Sequence, residues 1–544
     1  MALLDFFPYE GGKFEPSKEQ VELINSIDSA FNSGYKFVIC CAPTGSGKSF
    51  LSKTLANFSG EVTEKFRTLV ESYNAFRADQ YGEYFKADEC RDEPAFGAFA
   101  LTITKGLQDQ YTNSFEDAFS LKGKSSYLCR VDPSCDVEVA PCLFNAKLKE
   151  GCILNSRCDY YNSRRDTLIN KFGILNYSMF MSLPEHVKRR EYIVCDEASE
   201  LEDELVKRFS RNLNYKILKR LGFSPKDIPV ENYKKFRVWM ESLKISLGDE
   251  VEELKKILNK KKKSTFVDSD VQRYKLFSNL HSQIKVTLDT WEECEYVIEH
   301  NLEGVTLKPL RVDKLSDSIF RFGDKVLLMS ATIIDPANFA KTLGIKKYKY
   351  IEVDSAFDPK SAPIYVKVGD KINFKNLKEK LPTLCENALK ICELHKNQKG
   401  IIHTHTMEIT QYLKNRTNDP RFLFRIDGQN NESIIKQHFE SPEPTVLVSP
   451  SMAFGVDLKE DLARFQILMK AAYMPLNDER IKRLFKEDPQ WYVNKMLNNL
   501  IQACGRGVRT KNDKCITYIL DGSITDAVLR SVSRLPKYFL SRFA

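Results

Sequence analysis

The sequence predicts an α/β fold built on parallel sheets, and three observations carry that expectation. An apolar run, Phe37 to Cys41, leads through Ala42-Pro43-Thr44-Gly45-Ser46-Gly47-Lys48-Ser49 into helix-forming Phe50 to Ala56. A second apolar run, Tyr192 to Cys195, ends in the acidic pair Asp196-Glu197. Between the two, Cys129, Cys135, Cys142, Cys152 and Cys158 fall within thirty residues of a 544-residue chain that holds 14 cysteines, where an even spread would place fewer than one.

Single cores stop growing at roughly 250 to 300 residues, so several domains are expected. Hydrophobic residues at 42% and charged residues at 29% are ordinary for a soluble globular chain. With 82 Lys and Arg against 74 Asp and Glu, the net charge of +8 permits a partner of opposite sign without requiring one. No run of 18 apolar residues occurs, and Met1 to Phe14 lacks a basic start followed by an apolar core, so a cytoplasmic protein is expected. Cys40, Cys41, Cys195, Cys294, Cys385, Cys392, Cys504 and Cys515 sit mostly in apolar or helical runs and read as reduced core thiols.

The first element is a strand, a loop and a helix. Gly45 and Gly47, with Thr44 and Ser46 between and before them, let successive backbone N–H groups converge on phosphate oxygens at a helix N-terminus. Lys48 supplies charge to the β- and γ-phosphates, and the Ser49 hydroxyl suits Mg²⁺. Ala42 stands where the generic pattern has glycine. In the second element, Asp196 at the strand end would hold Mg²⁺ while Glu197 orients the attacking water. An acidic pair in that place also serves as an ordinary helix N-cap, and only the loop at Lys48 tips the reading toward catalysis. In the third, Gln502, Arg506 and Arg509 are spaced by four and three residues. On a helix they would share one face, able to set an amide and two guanidinium groups against a γ-phosphate, or form a solvated basic end. The intervening Gly505 and Gly507 weaken such a helix and need a reason of their own.

The cysteines are separated by five, six, nine and five residues with no Cys-x-x-Cys pair, so spacing alone leaves the metal open between zinc and an iron-sulfur cluster. Between 205 and 310 the chain is more charged and reads as helices, with Leu247, Val251, Leu254 and Leu258 on one packing stripe and Val271, Tyr274, Phe277, Leu280 and Ile284 on another. Lys260 to Lys263 read as a solvated helix end.

Taken in order, these segments resemble the superfamily 2 helicases of the iron-sulfur XPD and DinG type. Phe14 to Gln20 resembles the adenine-contacting segment, residues 42–49 motif I, Thr102 to Gln108 motif Ia and Asp196-Glu197-Ala198-Ser199 motif II. Ser330-Ala331-Thr332 resembles motif III, Lys399 to Thr406 motif IV, Phe454-Gly455-Val456-Asp457-Leu458 motif V and Gln502 to Arg509 motif VI. The chain departs from the family at Ser199, where histidine is usual, at Phe454, where an acid is usual, and at Lys124 and Ser126 in the segment before Cys129.

The resemblance implies two RecA-like P-loop domains, with an iron-sulfur insert and a helical arch inserted in the first. The expected divisions are 1–120, 166–204 and 311–335 for the first RecA-like domain, 121–165 for the cluster domain, 205–310 for the arch and 336–544 for the second RecA-like domain. It further implies ATP and Mg²⁺ bound by Gln20, Thr44 to Ser49, Asp196 and Asp457, with Glu197, Gln502, Arg506 and Arg509 catalytic. A 4Fe-4S cluster would be held by Cys129, Cys142, Cys152 and Cys158, leaving Cys135 spare. The implied partner is single-stranded or forked DNA, tracked 5′ to 3′. A nucleotide-switched nucleic-acid-binding protein that does not unwind is the alternative, kept open by Ser199 and Phe454.

Overall fold

The computed structural model describes residues 1–9, 14–43, 45–75, 95–143, 145–260, 268–354, 358–366, 370–425, 431–450, 460–508 and 513–544. Thr44, the motif V residues 454–458 with Asp457, Arg509 and the lysines 261–263 lie outside them.

Strands β1 (Phe37–Cys41), β2 (Ala98–Thr102), β3 (Phe119–Leu121), β4 (Phe172–Asn176) and β5 (Arg190–Asp196) precede an inserted unit holding β6 (Arg211–Asn214), β7 (Tyr296–His300) and β8 (Gly304–Pro309). The chain then returns with β9 (Gly323–Ser330) and β10 (Tyr348–Glu352). The first sheet is parallel throughout, in the order β10-β1-β9-β5-β2-β4-β3. Its strands are apolar on successive residues because both faces are covered. Val38 and Cys40 of β1, Ala98 and Ala100 of β2, Val194 of β5 and Met329 of β9 enter one core, while Ile39, Cys41, Phe99, Leu101, Ile193, Cys195 and Leu328 enter the other.

The expected start of the second domain at residue 336 is corrected by β10. This strand lies parallel to β1, with Phe37 opposite Tyr348 and Cys41 opposite Glu352, so the first domain runs past Glu352. Exposed Lys346, Lys347 and Lys349 hid the strand from a periodicity reading, and lysines of this kind are how a sheet edge is kept from pairing further.

The arch region is helical over most of its length but not throughout. Helices Tyr233–Lys260 and Asp268–Asp289 pack together, burying Leu247, Leu254, Leu258, Phe277, Leu280 and Ile284 as their spacing predicts. At their base lies an antiparallel sheet, β6-β8-β7, that the sequence reading missed. Its runs are short and broken by Glu299 and His300, which masks the alternation. The hydrophobic core of the arch is continuous with one face of the first sheet.

Strands β11 (Ile364–Val366), β12 (Gly400–His403), β13 (Phe422–Phe424), β14 (Val446–Ser449), β15 (Phe465–Leu468) and β16 (Ile516–Ile519) form the second parallel sheet, in the order β11-β16-β15-β12-β14-β13. Ile402, Val446, Val448 and Ile467 face one core and Ile401 and Leu447 another. Among the described residues no helix is long and apolar enough to cross a membrane.

Candidate functional site

The phosphate loop follows β1 directly. Gly45 and Gly47 have φ of 81° and 79°, in the left-handed region that glycine enters without penalty. Space demands glycine too, since a Cβ on Gly47 would fall 1.7 Å from Gln20 Nε2. Gln20 is fixed there by a capping box at the start of helix Lys18–Asn32: Ser17 N donates to Gln20 Oε1 (2.9 Å) and Gln20 N to Ser17 Oγ (3.3 Å). Its Nε2 donates to the Ser46 carbonyl (3.3 Å), so Gln20 braces the loop. The Ser46 hydroxyl is buried and has no hydrogen-bond partner among the described residues, a place that a phosphate oxygen would fill. Helix Lys48–Phe58 begins at the loop's end, directing its unpaired N–H groups and positive dipole end to the same place. Ser49 is its second residue and is partly exposed.

Lys48 Nζ donates to Glu197 Oε1 at 3.0 Å, joining the first two expected elements. Glu197 has φ 50° and ψ 48°, a left-handed backbone that costs a non-glycine residue on the order of 1 kcal/mol or more. The turn is held by Glu197 N donating to Asp196 Oδ1 (3.0 Å) and by Ser330 Oγ donating to Glu197 Oε2 (3.2 Å). Asp196 is buried, and Tyr111 Oη donates to its Oδ2 (3.0 Å), with Ser52 Oγ 3.2 Å from the same phenol oxygen. Burial pushes the Asp196 carboxyl upward; Lys48 opposes the rise and Glu197 adds to it. A divalent cation between this carboxylate and the loop would reverse that balance.

Ser199 contacts Ser330, their hydroxyls 3.0 Å apart, and Thr332 Oγ1 lies 3.3 Å from the same Ser330 oxygen. Serine at 199 therefore keeps a link between the second and third motifs through a hydroxyl pair. The Ser-Ala-Thr run after an apolar strand was the available signal for Ser330. Tyr111 had none, because it reaches Asp196 from a helix, Lys105–Ser114, on a neighbouring strand's connection.

Gln502 comes from helix Pro489–Cys504 of the second domain, and its Nε2 donates to Glu200 Oε1 (2.7 Å). Burial pushes the Glu200 carboxyl up, with Asp203 adding to it. The expected helical face is corrected for Gln502 and Arg506, Arg509 lying outside the described residues: the helix ends at Cys504, Gly505 caps it and Arg506 lies in the turn beyond, its N–H bonded to Ala503 O (3.2 Å). Gly507 supplies the reason for the break. A Cβ there would sit 2.4 Å from Cys515 Sγ and 3.3 Å from Ala463 O, so the turn is pressed against the entry to β16. Arg506 reinforces burial in holding the His403 imidazole neutral, down to about 3.

The cysteines come together from three segments. The first carries Cys129 beside the bridge between Leu128 and Asp136; the second carries Cys142 in the short helix Pro141–Leu143 and Cys152 on helix Ala146–Leu154; the third carries Cys158 at the N-cap of helix Asp159–Ile169. All four line one cavity with Arg130, Val131 and Arg157, about 340 Å³ including its open mouth. Cys135 does not line it; its thiol donates to Asp132 O (3.3 Å) and its carbonyl accepts from Cys129 N (3.0 Å). Burial and then Cys158, Cys129 and Cys152 push the Cys142 thiol up to about 11, with Lys124 opposing the rise. Among the described residues, no three His, Cys, Asp or Glu side chains stand close enough to hold a single metal ion.

Residues 401–539 match the helicase C-terminal domain family. No curated protein sequence matches significantly. Among solved structures, an XPD helicase superposes with a TM-score of 0.60 at 16% identity, covering 95% of this chain and 98% of that one. An apo XPD structure gives 0.56 at 15% identity over 93% and 98%, and Xpd4 of S. tokodaii 0.50 at 16% over 94% and 97%. Residues 401–539 thus carry the likeness to a helicase C-terminal domain, and the whole chain shares the fold of the XPD helicase structures.

Proposed function

We propose that this chain hydrolyses ATP between its two parallel-sheet domains to move 5′ to 3′ along single-stranded DNA in the cytoplasm, and that an iron-sulfur domain serves as the wedge that parts a fork. The observation that carries the motor reading is the joining of Lys48, Glu197 and Ser330 on the first sheet with Gln502 arriving from the second domain. Lys48 exchanges Glu197 for the phosphates when nucleotide enters, which frees the Glu197 carboxylate to take a proton from the attacking water. Asp196 and Ser49 are the groups that would hold Mg²⁺, whose contribution when bound is to neutralise charge on the β- and γ-oxygens. Gly45 to Gly47 would cradle the phosphates with Thr44, Asp457 would complete the nucleotide site, and Arg506 and Arg509 are assigned to the γ-phosphate.

The cysteine cavity supports the cluster reading. Its donor set is four thiols with no carboxylate or imidazole among the lining residues, the set that holds 4Fe-4S clusters. An eight-atom cluster also keeps its ligands farther apart than one ion does. Cys129, Cys142, Cys152 and Cys158 would hold it, and the bound cluster would supply metal–thiolate bonds that tie three segments into one rigid body. Cys135 stands next to Cys129 but does not line the cavity.

ATP turnover with and without single-stranded DNA tests the reading, together with forks carrying only a 5′ or only a 3′ tail. Lys48→Ala and Glu197→Gln should abolish turnover while DNA binding persists. Wild-type turnover in both variants removes the assigned roles. Unwinding from the 3′ tail alone reverses the polarity, and turnover without unwinding from either tail favours a nucleotide-driven switch.

A further inference from the structure

Away from the nucleotide site, the two domains share one buried charged joint. Helix Leu201–Phe209 leaves the acidic pair and carries Glu202 inward, only 6% exposed. Three side chains of the second domain converge on its carboxylate. Arg480 donates to Oε1 (2.9 Å), while Trp491 Nε1 (3.0 Å) and Lys495 Nζ (2.9 Å) both reach Oε2. Arg480 also donates to the Pro309 carbonyl at the end of β8 (2.7 Å), and Lys495 pairs with Asp203 (3.0 Å). Arg480 and Trp491 are 3% and 5% exposed. Around them Val297 and Leu310 of the first domain pack on Ile481, Leu484, Trp491 and Tyr492 of the second.

Burial pulls the Glu202 carboxyl upward, yet Lys495 and Arg480 override it and hold it below the usual carboxylate range. Such a group is costly to separate from its partners, because each charge left behind is buried and unpaired. The bonds are also directional, and they fix one rotation and one height of helix Pro489–Cys504. Trp491 and Lys495 belong to that helix, and Gln502 lies on it as well. Gln502 bonds Glu200, two residues before Glu202 and three after Glu197.

We propose that Glu202 is a positioning residue of the ATPase, which fixes helix Pro489–Cys504, and with it Gln502, against the acidic pair. The inference rests on the reading that ATP is hydrolysed between these domains. Domain movement then pivots on this joint, and the turn beyond Cys504 carries the change.

Glu202→Gln keeps the shape and removes the charge. Its DNA-stimulated kcat should fall roughly tenfold or more while the KM for ATP stays within about twofold. Hydrogen exchange should rise in residues 489–504 and stay unchanged in β1 to β5. Glu202→Leu with Arg480→Met and Lys495→Met should recover the thermal stability lost in Glu202→Gln, since apolar residues of like volume tolerate burial, yet leave kcat low because no directional bond sets the helix. Wild-type kcat in either variant overturns the proposal, as does exchange that rises uniformly across both domains. If Glu202→Gln fails to fold, Trp491→Phe removes a single donor, and its kcat must drop a fewfold at constant KM or the proposal fails. A wild type with no turnover refutes the ATPase reading instead, and the exchange measurement then decides the joint by itself.

Discussion

Replacing Ser330 by alanine tests the geometry of Glu197, the proposed general base. The hydroxyl is fully buried, donates to Glu197 Oε2 at 3.2 Å, and lies 3.0 Å from Ser199 Oγ and 3.3 Å from Thr332 Oγ1. A hydrogen bond to a charged acceptor contributes about 1.5 to 3 kcal/mol. Glu197 already sits on a left-handed backbone, so without this bond its carboxylate has one fewer restraint where the water must be oriented. Lost from the transition state, that energy lowers kcat by roughly 10- to 150-fold. The Ser199 hydroxyl and the Thr332 N–H, which donates to Ser330 Oγ at 3.3 Å, lose a partner too, so stability should fall by about 1 to 2 kcal/mol. Steady-state turnover at saturating ATP and single-stranded DNA, with a thermal melt of the same preparation, measures both. A folded variant with unchanged kcat would refute the claim that Ser330 orients Glu197.

Three further outcomes are expected. Anaerobically purified Cys152→Ser should lose iron and visible absorbance while Cys135→Ser keeps both; equal loss, or zinc without iron in the wild type, contradicts the cavity's ligand set. Gly507→Ala should cost about 1 to 3 kcal/mol in urea unfolding, because its Cβ would meet Cys515 Sγ at 2.4 Å in a packed turn, and an unaffected midpoint means that the turn is loose. His403 is held neutral in the folded chain down to about 3, by burial and by Arg506, whereas the unfolded chain takes up the proton near pH 6.5. Its contribution is therefore complete above pH 6.5 and is lost as pH falls toward 3, about 2 kcal/mol by pH 5. His403→Asn should flatten the stability slope between pH 7 and 5, and an identical slope in both proteins rules the titration out.

What the sequence disclosed was local. Strand β1, the glycine loop and Lys48 form a contiguous stretch whose backbone demands are written in its residues, and the same holds for β5 and its acidic pair. The arginine segment failed for a physical reason: a spacing of four and three predicts a shared face only where a helix continues, and Gly507 is there because Cys515 leaves no room for a Cβ. Contacts between distant segments were out of reach. Tyr111 beside Asp196, Gln502 on Glu200 and the three partners of Glu202 depend on how helices from separate parts of the chain are laid on two sheets, which no local pattern encodes. Strand β10 was concealed by lysines that protect an edge, and β6 to β8 by their shortness.

The position of β1 in the first sheet governs when this enzyme can come into being. Its two neighbours are β9 and β10, made roughly 280 and 310 residues later, and none of the described strands between them in sequence pairs with it. On a ribosome adding about 5 to 20 residues per second, the strand beneath the phosphate loop waits on the order of 15 to 60 s for its first partner. During that interval the cysteine segment and the arch can already have emerged and begun to pack. The candidate phosphate loop, encoded first, gains its neighbouring strands only after both inserts, so a chain stalled or cut before Gly323 has every residue of that loop and neither strand that flanks β1.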